Sequence, residues 1–439
     1  MLQILLTLLI FLSQTAAAQS FVRADGQRFT LDGQAFYFQG TNSYDAGLLG
    51  SMSEDAVYQR FRDIGNSGIK VVRIWGFSCR DQYYAPMITG IRDGQVQYDE
   101  AAMQRLDLAL DAARVAGVRI IFPLVNYEPD VCGMNFWVKE ITGSEDKHQF
   151  YWHNDVKSVF KNHVATLLNR TNTRRLATTG QNVSYKNDPT IFAIELANEP
   201  HTLDSFEQNQ GQQPGTMVYN WLNEMSTFVR GIDGNHMISS GEEGYKVSHG
   251  DLSRHSWIHN GLKGVDFERN ITIPNISFVT VHIYPDNWGI SSSEFDFVER
   301  ELIADRARLA HSVNKPIVLE ETGFARGSTF GGQGYSNNPQ DWLSRIYSAA
   351  NANNFAGTMV WQAVPGGYTG GYNFNFDDIQ FQVVRDQARF MNGKSGSPTS
   401  PQCTNIAPDS LYTCEQQASW GKCGEVWMQN FCRASCGGC

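Results

Sequence analysis

Eight short apolar runs punctuate the chain, at residues 36–40, 69–76, 118–126, 191–200, 237–244, 278–285, 316–323 and 357–363. Within each run the apolar residues are nearly continuous rather than alternating, as a strand buried on both faces requires. The stretches between them carry a different period. In EAAMQRLDLALDAARVA (100–116), Met103, Leu106, Leu110 and Ala113 fall on one helical face. Eight buried strands separated by helical connections predict an α/β fold, a (β/α)8 (TIM) barrel, with a last helix over 383–391 closing it. No internal repeat is visible in the sequence.

Chemistry in such a barrel sits at the C-terminal ends of the strands. Those ends read Asn42 and Tyr44, Arg73 and Trp75, Asn126, Asn198 and Glu199, Glu242 and Glu243, His282 and Tyr284, Glu320 and Glu321, and Trp361. In IFAIELANEP (191–200), Pro200 has no N–H for a sheet ladder and is expected to hold Glu199 extended. Glu199 ends the fourth strand and Glu321 the seventh, on opposing walls, so the two acids can meet across the mouth. A facing carboxyl pair is what glycosidic bond cleavage needs, one group to protonate the leaving oxygen and one to attack or activate water. Strand alternation turns Glu320 to the other face, as a structural residue. It puts Glu195 below Glu199, as a buried, paired acid. His255 and His259 stand four apart, but nothing nearby supplies a third metal ligand.

Composition narrows the partners. The 439 residues include 35 Lys and Arg against 45 Asp and Glu, a net charge of −10, with no basic run, which argues against nucleic acid and anionic membrane. The 26 Phe, 17 Tyr and 10 Trp offer surfaces on which sugar rings stack. No cofactor or metal motif is present, and none is expected. Residues 1–18, apolar from Leu2 to Leu12 and ending Ala16-Ala17-Ala18, read as a secretory signal, so the protein is expected to be secreted and extracellular. Four N-x-S/T sequons, at Asn169, Asn182, Asn270 and Asn275, are compatible with glycosylation. Residues 393–402 (GKSGSPTSPQ) form a linker, which bounds the barrel domain at 19–392 and leaves a tail at 403–439. Six of the eight cysteines (Cys403, Cys414, Cys423, Cys432, Cys436 and Cys439) lie in that tail. They are expected to form disulfides; a zinc site would need two separated Cys-x-x-Cys knuckles. Cys79 and Cys132 each follow a strand and are expected to bridge two loops on one face.

The stretches FYFQGTNSY (36–44), IKVVRIWGF (69–77), IFAIELANEP, FVTVHIYPDNWG (278–289), VLEETGF (318–324) and GTMVWQ (357–362) resemble glycoside hydrolase family 5, specifically its fungal and plant endo-β-1,4-mannanases. The resemblance implies a secreted retaining enzyme acting on internal bonds of mannan, glucomannan and galactomannan. A β-1,4-glucanase or an exo-β-mannosidase on the same barrel is the alternative. It implies Glu199 as acid/base and Glu321 as nucleophile. Asn198 would bond the sugar 2-hydroxyl, Arg73 would hold Glu321 ionised, Tyr284 would donate to Glu321, His282 would line the floor, and Trp361 would be the sugar platform. Glu243 would contact substrate; Trp75 and Trp288 would line the cleft, with a place in the core as the other reading. Two residues depart from the family pattern. Thr322 stands where an aromatic residue is usual after the nucleophile, and His201, on the leaving-group side, stands where many members have Arg. The tail, especially FCRASCGGC (431–439), resembles a ShK toxin-like domain, which implies the pairings Cys403–Cys439, Cys414–Cys432 and Cys423–Cys436; spacing alone allows fifteen connectivities. GEVWMQNF (424–431) lacks the Lys-Tyr pair of channel blockers. Trp420 and Trp427 are candidates for contact with polysaccharide or protein, or for the tail's own core.

Overall fold

The computed structural model of the protein describes residues 20–48, 52–79, 85–176, 180–247, 254–325, 335, 338–364, 371–376, 378, 381–395, 413–425 and 435–436. The expected signal segment, linker residues 396–402, Cys403, Cys432, Cys439 and Trp427 lie outside them.

All eight expected strands are present: β1 Phe38–Asn42, β2 Val71–Arg73, β3 Arg119–Pro123, β4 Ile191–Glu195, β5 Met237–Ser239, β6 Val279–Ile283, β7 Ile317–Thr322 and β8 Gly357–Val360. Every residue in them is buried. The ladders are parallel and run β5-β4-β3-β2-β1-β8-β7-β6. The β5–β6 seam has no ladder, but Ser277 N donates to Ile238 O (2.7 Å) and His282 N to Glu243 O (3.3 Å) across it. The sheet is thus a (β/α)8 barrel. Among the described residues, long helices follow seven strands, including Glu54–Asn66, Glu100–Ala116, Thr216–Ile232 and Phe381–Lys394. In Glu100–Ala116 the four expected core residues are buried, and Asp99 caps the start by accepting from Ala102 N. Among the described residues, the β5–β6 connection has only the short turns Ser256–Ile258 and Phe267–Asn270 where a helix was expected.

Phe36, expected in the first barrel strand, belongs instead to an antiparallel sheet of Arg23–Asp25, Arg28–Leu31 and Gln34–Phe36. This sheet closes the N-terminal end of the barrel. Phe29 reaches up into a ring cluster with Phe192 (5.0 Å between centroids), Phe278 (5.4 Å) and Phe38 (6.0 Å). At the other end of the chain the closing helix runs to Lys394. Ser395 Oγ then accepts from Tyr37 N (2.8 Å) and donates to Tyr37 O (3.1 Å). Gly393 and Lys394, expected to open the linker, instead complete the last helical turn.

Cys79 and Cys132 are disulfide-bonded, joining the loops after β2 and β3 as expected. In the tail, Cys423–Cys436 is bonded, and Cys414, which opens the capped helix Cys414–Ser419, is also in a disulfide. Asn169 and Asn182 are exposed and Asn275 is half-buried, whereas Asn270 is 1% exposed and its Nδ2 donates to Glu242 (3.0 Å). Asn270 in the folded chain is therefore closed to modification. No helix among the described residues is long and apolar enough to cross a membrane.

Candidate active site

The strands stop short of the chemistry. β4 ends at Glu195, and the next three residues, Leu196 to Asn198, form a buried loop that the apolar pattern had merged with the strand. The expectation that Pro200 keeps Glu199 extended is corrected here: Glu199 has φ +49°, a left-handed conformation that costs a non-glycine residue energy. Neighbouring loops impose it. Asn198 N donates to Val125 O (2.7 Å) and Glu199 N to Gly241 O (2.9 Å). A Cβ on Gly241 would lie 1.9 Å from Ala197 O, so only glycine lets these two loops meet.

Arg73, fully buried at the end of β2, is the hub. It donates to both oxygens of Glu195 (2.6 Å at the shortest), to Asn42 Oδ1 (3.1 Å), to Asn198 Oδ1 and to Glu321 Oε1. Burial works against its charge, but Glu195, Glu320 and Glu321 outweigh burial and raise its pKa. Glu195 is the paired, buried acid expected from the sequence; burial pushes its carboxyl well above the usual range. Asn198 is held in turn by Asn126, with Nδ2 donating to Oδ1 (2.9 Å).

Glu320 differs from expectation. Val281 pairs with Leu319 and His282 with Glu321, so Glu320 is the extra residue of a β-bulge. Alternation fails there, and Glu320 turns inward to His282 Nε2 (3.2 Å) and to within 3.8 Å of Arg73 Nε. His282 bridges the walls: its Nδ1 is 2.8 Å from Glu199 Oε1 and 3.7 Å from Glu321 Oε1. Burial opposes a charge on the ring, but Glu321, Glu199 and Glu320 together raise its pKa well above normal and hold it as an imidazolium.

Glu199 and Glu321 present oxygens within 4.8 Å of each other. Burial raises Glu321, helped by the charge of Glu199; for Glu199 the bond to charged His282 outweighs burial and lowers it. Hydrogen bonding orders the proton they share differently. Both Glu321 oxygens already accept, Oε1 from Arg73 and Oε2 from Tyr284 Oη (2.8 Å). Among the described residues Glu199 bonds only through Oε1, and its side chain is 22% exposed. A proton on Glu321 would displace a donor, whereas one on Glu199 Oε2 displaces none, so the donor pattern favours an ionised Glu321 facing a protonated Glu199.

The other expected site residues divide. Half-buried Trp361 stacks on Tyr44 (5.5 Å, 4° between planes), and buried Trp75 packs beside both, at 4.8 Å from Tyr44 and 6.4 Å from Trp361. Trp288 packs on Tyr245 and Trp257, both 5.7 Å away, on the Glu243 side. Glu243 accepts from Tyr245 Oη (2.7 Å); burial and the charge of Glu199 push it well up. His201 is buried against the Tyr127 ring (3.7 Å), with Nδ1 3.0 Å from Glu199 O; burial, then the charge of Lys263, lower its pKa to about 3 and keep it neutral. Glu242 lies behind the wall, bonded to Ser240 and Asn270, and burial raises it to about 7. His259 meets Arg306, a cation, so the histidine pair is no metal site. Tyr245, Trp257, Asp286 and Tyr372 were not read from the sequence, since nothing in their spacing ties them to the strand ends.

Glu199, His282 and Glu321 are close enough together to ligate one cation. Both His282 ring nitrogens, however, already face carboxylate oxygens, and both Glu321 oxygens already accept from a donor. The donor set suits proton chemistry better than a metal.

The model of the GH family 5 beta-mannosidase-like family matches residues 19–366. The chain belongs to glycoside hydrolase family 5. This family 5 hydrolase is 32% identical over 365 residues to mannan endo-1,4-beta-mannosidase 1 of Arabidopsis thaliana, covering 79% of this chain and 82% of the relative. It is 31% identical to mannan endo-1,4-beta-mannosidase 5 of Solanum lycopersicum, covering 81% and 84%. Among solved structures it is similar to the endo-1,4-beta-mannanase of Rhizomucor miehei, with TM-score 0.74 and 27% identity, covering 85% of this chain and all of that one.

Proposed function

We propose that this family 5 glycoside hydrolase is a secreted endo-β-1,4-mannanase that cleaves internal bonds of mannan, glucomannan and galactomannan with retention of configuration. The observation that carries the mechanism is the spacing of Glu199 and Glu321, within 4.8 Å, near the roughly 5–5.5 Å of retaining pairs and short of the inverting range. The names of the relatives support the substrate. Glu321, ionised beside Arg73 and Tyr284, attacks the anomeric carbon. The glycosidic C–O bond breaks as Glu199 gives its proton to the leaving oxygen, and an ester to Glu321 forms. Glu199, now the base, takes a proton from water; the water oxygen attacks the same carbon and the Glu321 carboxylate leaves. Trp361 on its Tyr44 backing offers the sugar platform, and Asn198 the 2-hydroxyl contact.

The test is a product profile on mannan, glucomannan, galactomannan, xylan and carboxymethylcellulose, with the first-formed anomer followed by NMR. Internal cleavage of mannans releasing the β-anomer is expected. Preference for carboxymethylcellulose would favour the glucanase, release of mannose alone the exo-enzyme, and an α-anomer the inverting route. The tail is proposed to be a ShK-like disulfide domain that contacts polysaccharide or a protein partner; the Cys423–Cys436 bond supports its cysteine pairing.

A further inference from the structure

Asp286 lies two residues beyond Tyr284, is buried, and has no place in the chemistry above. Three donors from three loops converge on it. Asn287 N, in its own loop after β6, donates to Oδ1 (2.9 Å); Ala325 N, four residues past Glu321, donates to Oδ2 (2.8 Å); Tyr372 Oη, from the segment after β8, donates to Oδ1 (3.1 Å). Those loops follow directly on Tyr284, Glu321 and Trp361. The Tyr372 ring packs edge-on against Tyr284 (5.2 Å, 75°), and Tyr372 O accepts from Gln362 N (3.0 Å), next to Trp361. Gly323 makes room for this: a Cβ there would lie 2.7 Å from Trp361 O and 3.0 Å from Tyr372 Cδ1.

We propose that Asp286 is a positioning residue, which clamps the loops after β6, β7 and β8 and, through Tyr372, fixes Tyr284 against Glu321. An ionised carboxylate suits the position because it accepts at both oxygens and donates at neither. An asparagine would turn an NH2 toward a donor. The proposal rests on Glu321 being the nucleophile, which faces Arg73, His282, Glu199 and Tyr284; of these only Tyr284 touches the clamp.

The experiment compares kcat/KM against pH for the full chain and for Tyr284→Phe, Tyr372→Phe, Asp286→Asn and Tyr284→Phe/Tyr372→Phe, on soluble mannooligosaccharides, with thermal unfolding alongside. Loosening the Tyr284 hydrogen bond disfavours the ionised nucleophile, so the acid limb should move up by about half a pH unit in Tyr372→Phe and Asp286→Asn, and further in Tyr284→Phe. The double variant should move no further than Tyr284→Phe alone. A Tyr372→Phe enzyme that unfolds earlier with its acid limb unmoved would overturn the clamp, and so would a shift that adds in full to that of Tyr284→Phe. Glu321→Gln separates the two ideas: an active Glu321→Gln enzyme sinks the nucleophile reading and the clamp together, whereas an inactive one beside an unmoved Tyr372→Phe limb sinks the clamp alone.

Discussion

At the N-terminal end of the barrel, Phe29, Phe38, Phe192 and Phe278 pack ring against ring. At the C-terminal end of the same strands, Glu195, Glu199, Glu320 and Glu321 crowd around one guanidinium and one imidazole. The first arrangement removes apolar surface from water and asks for nothing else. The second buries charge, which is costly even when paired, and leaves the fold to hold it in place. Stability and chemistry therefore separate along the barrel axis, and substitutions at the two ends should report on different quantities.

The largest expected effect is at the charged end. Glu321→Gln should lower turnover by several orders of magnitude with no fall in the unfolding midpoint, as steady-state kinetics and thermal melts would show. Equal loss of activity and of fold would erase the contrast. Phe29→Ala should do the reverse. Deleting a buried phenylalanine costs about 3–5 kcal/mol in denaturant unfolding, while the molecules that remain folded keep their kcat.

Glu242 tests whether the division extends to pH. Its carboxyl is raised from the usual range to about 7, so the folded state holds a proton that the unfolded state releases. That stabilising preference is fully present below the unfolded pKa near 4.5 and is lost as pH rises through about 7. Glu242→Gln should remove up to about 3 kcal/mol of this fall, seen as a flatter unfolding midpoint between pH 5 and 8. A variant as steep as the parent would place the proton elsewhere. The smallest effect should follow truncation at Ser397. The closing helix and the Ser395–Tyr37 bonds are complete before that point, so activity on soluble mannooligosaccharides should be unchanged. Lost activity would make the tail part of the barrel's fold.

What could be read from the sequence follows the same axis. The eight strands were legible because a doubly buried strand leaves a continuous apolar run. Their C-terminal limits were not, since Leu124-Val125 and Leu196-Ala197 are as buried as strand residues yet lie in loops. The facing acids Glu199 and Glu321, and Arg73, were legible by chemical type at the strand ends. The facing of Glu320 was misjudged, because a bulge breaks alternation and depends on the register with β6, which no local pattern encodes. Asp286 went unseen for a related reason: a carboxyl that gathers two backbone N–H groups and one hydroxyl from three loops has no signature in spacing.

The bond between Asn270 and Glu242 gives one of the sequons a kinetic meaning. An enzyme that attaches a glycan to Asn270 must reach the side chain before the Phe267–Asn270 turn packs, and a chain so marked can no longer seat that amide against Glu242. Attachment and packing compete for the same nitrogen. Sugar at this position would be a record of chains that lingered unfolded, and its absence a sign that the barrel wall closed first.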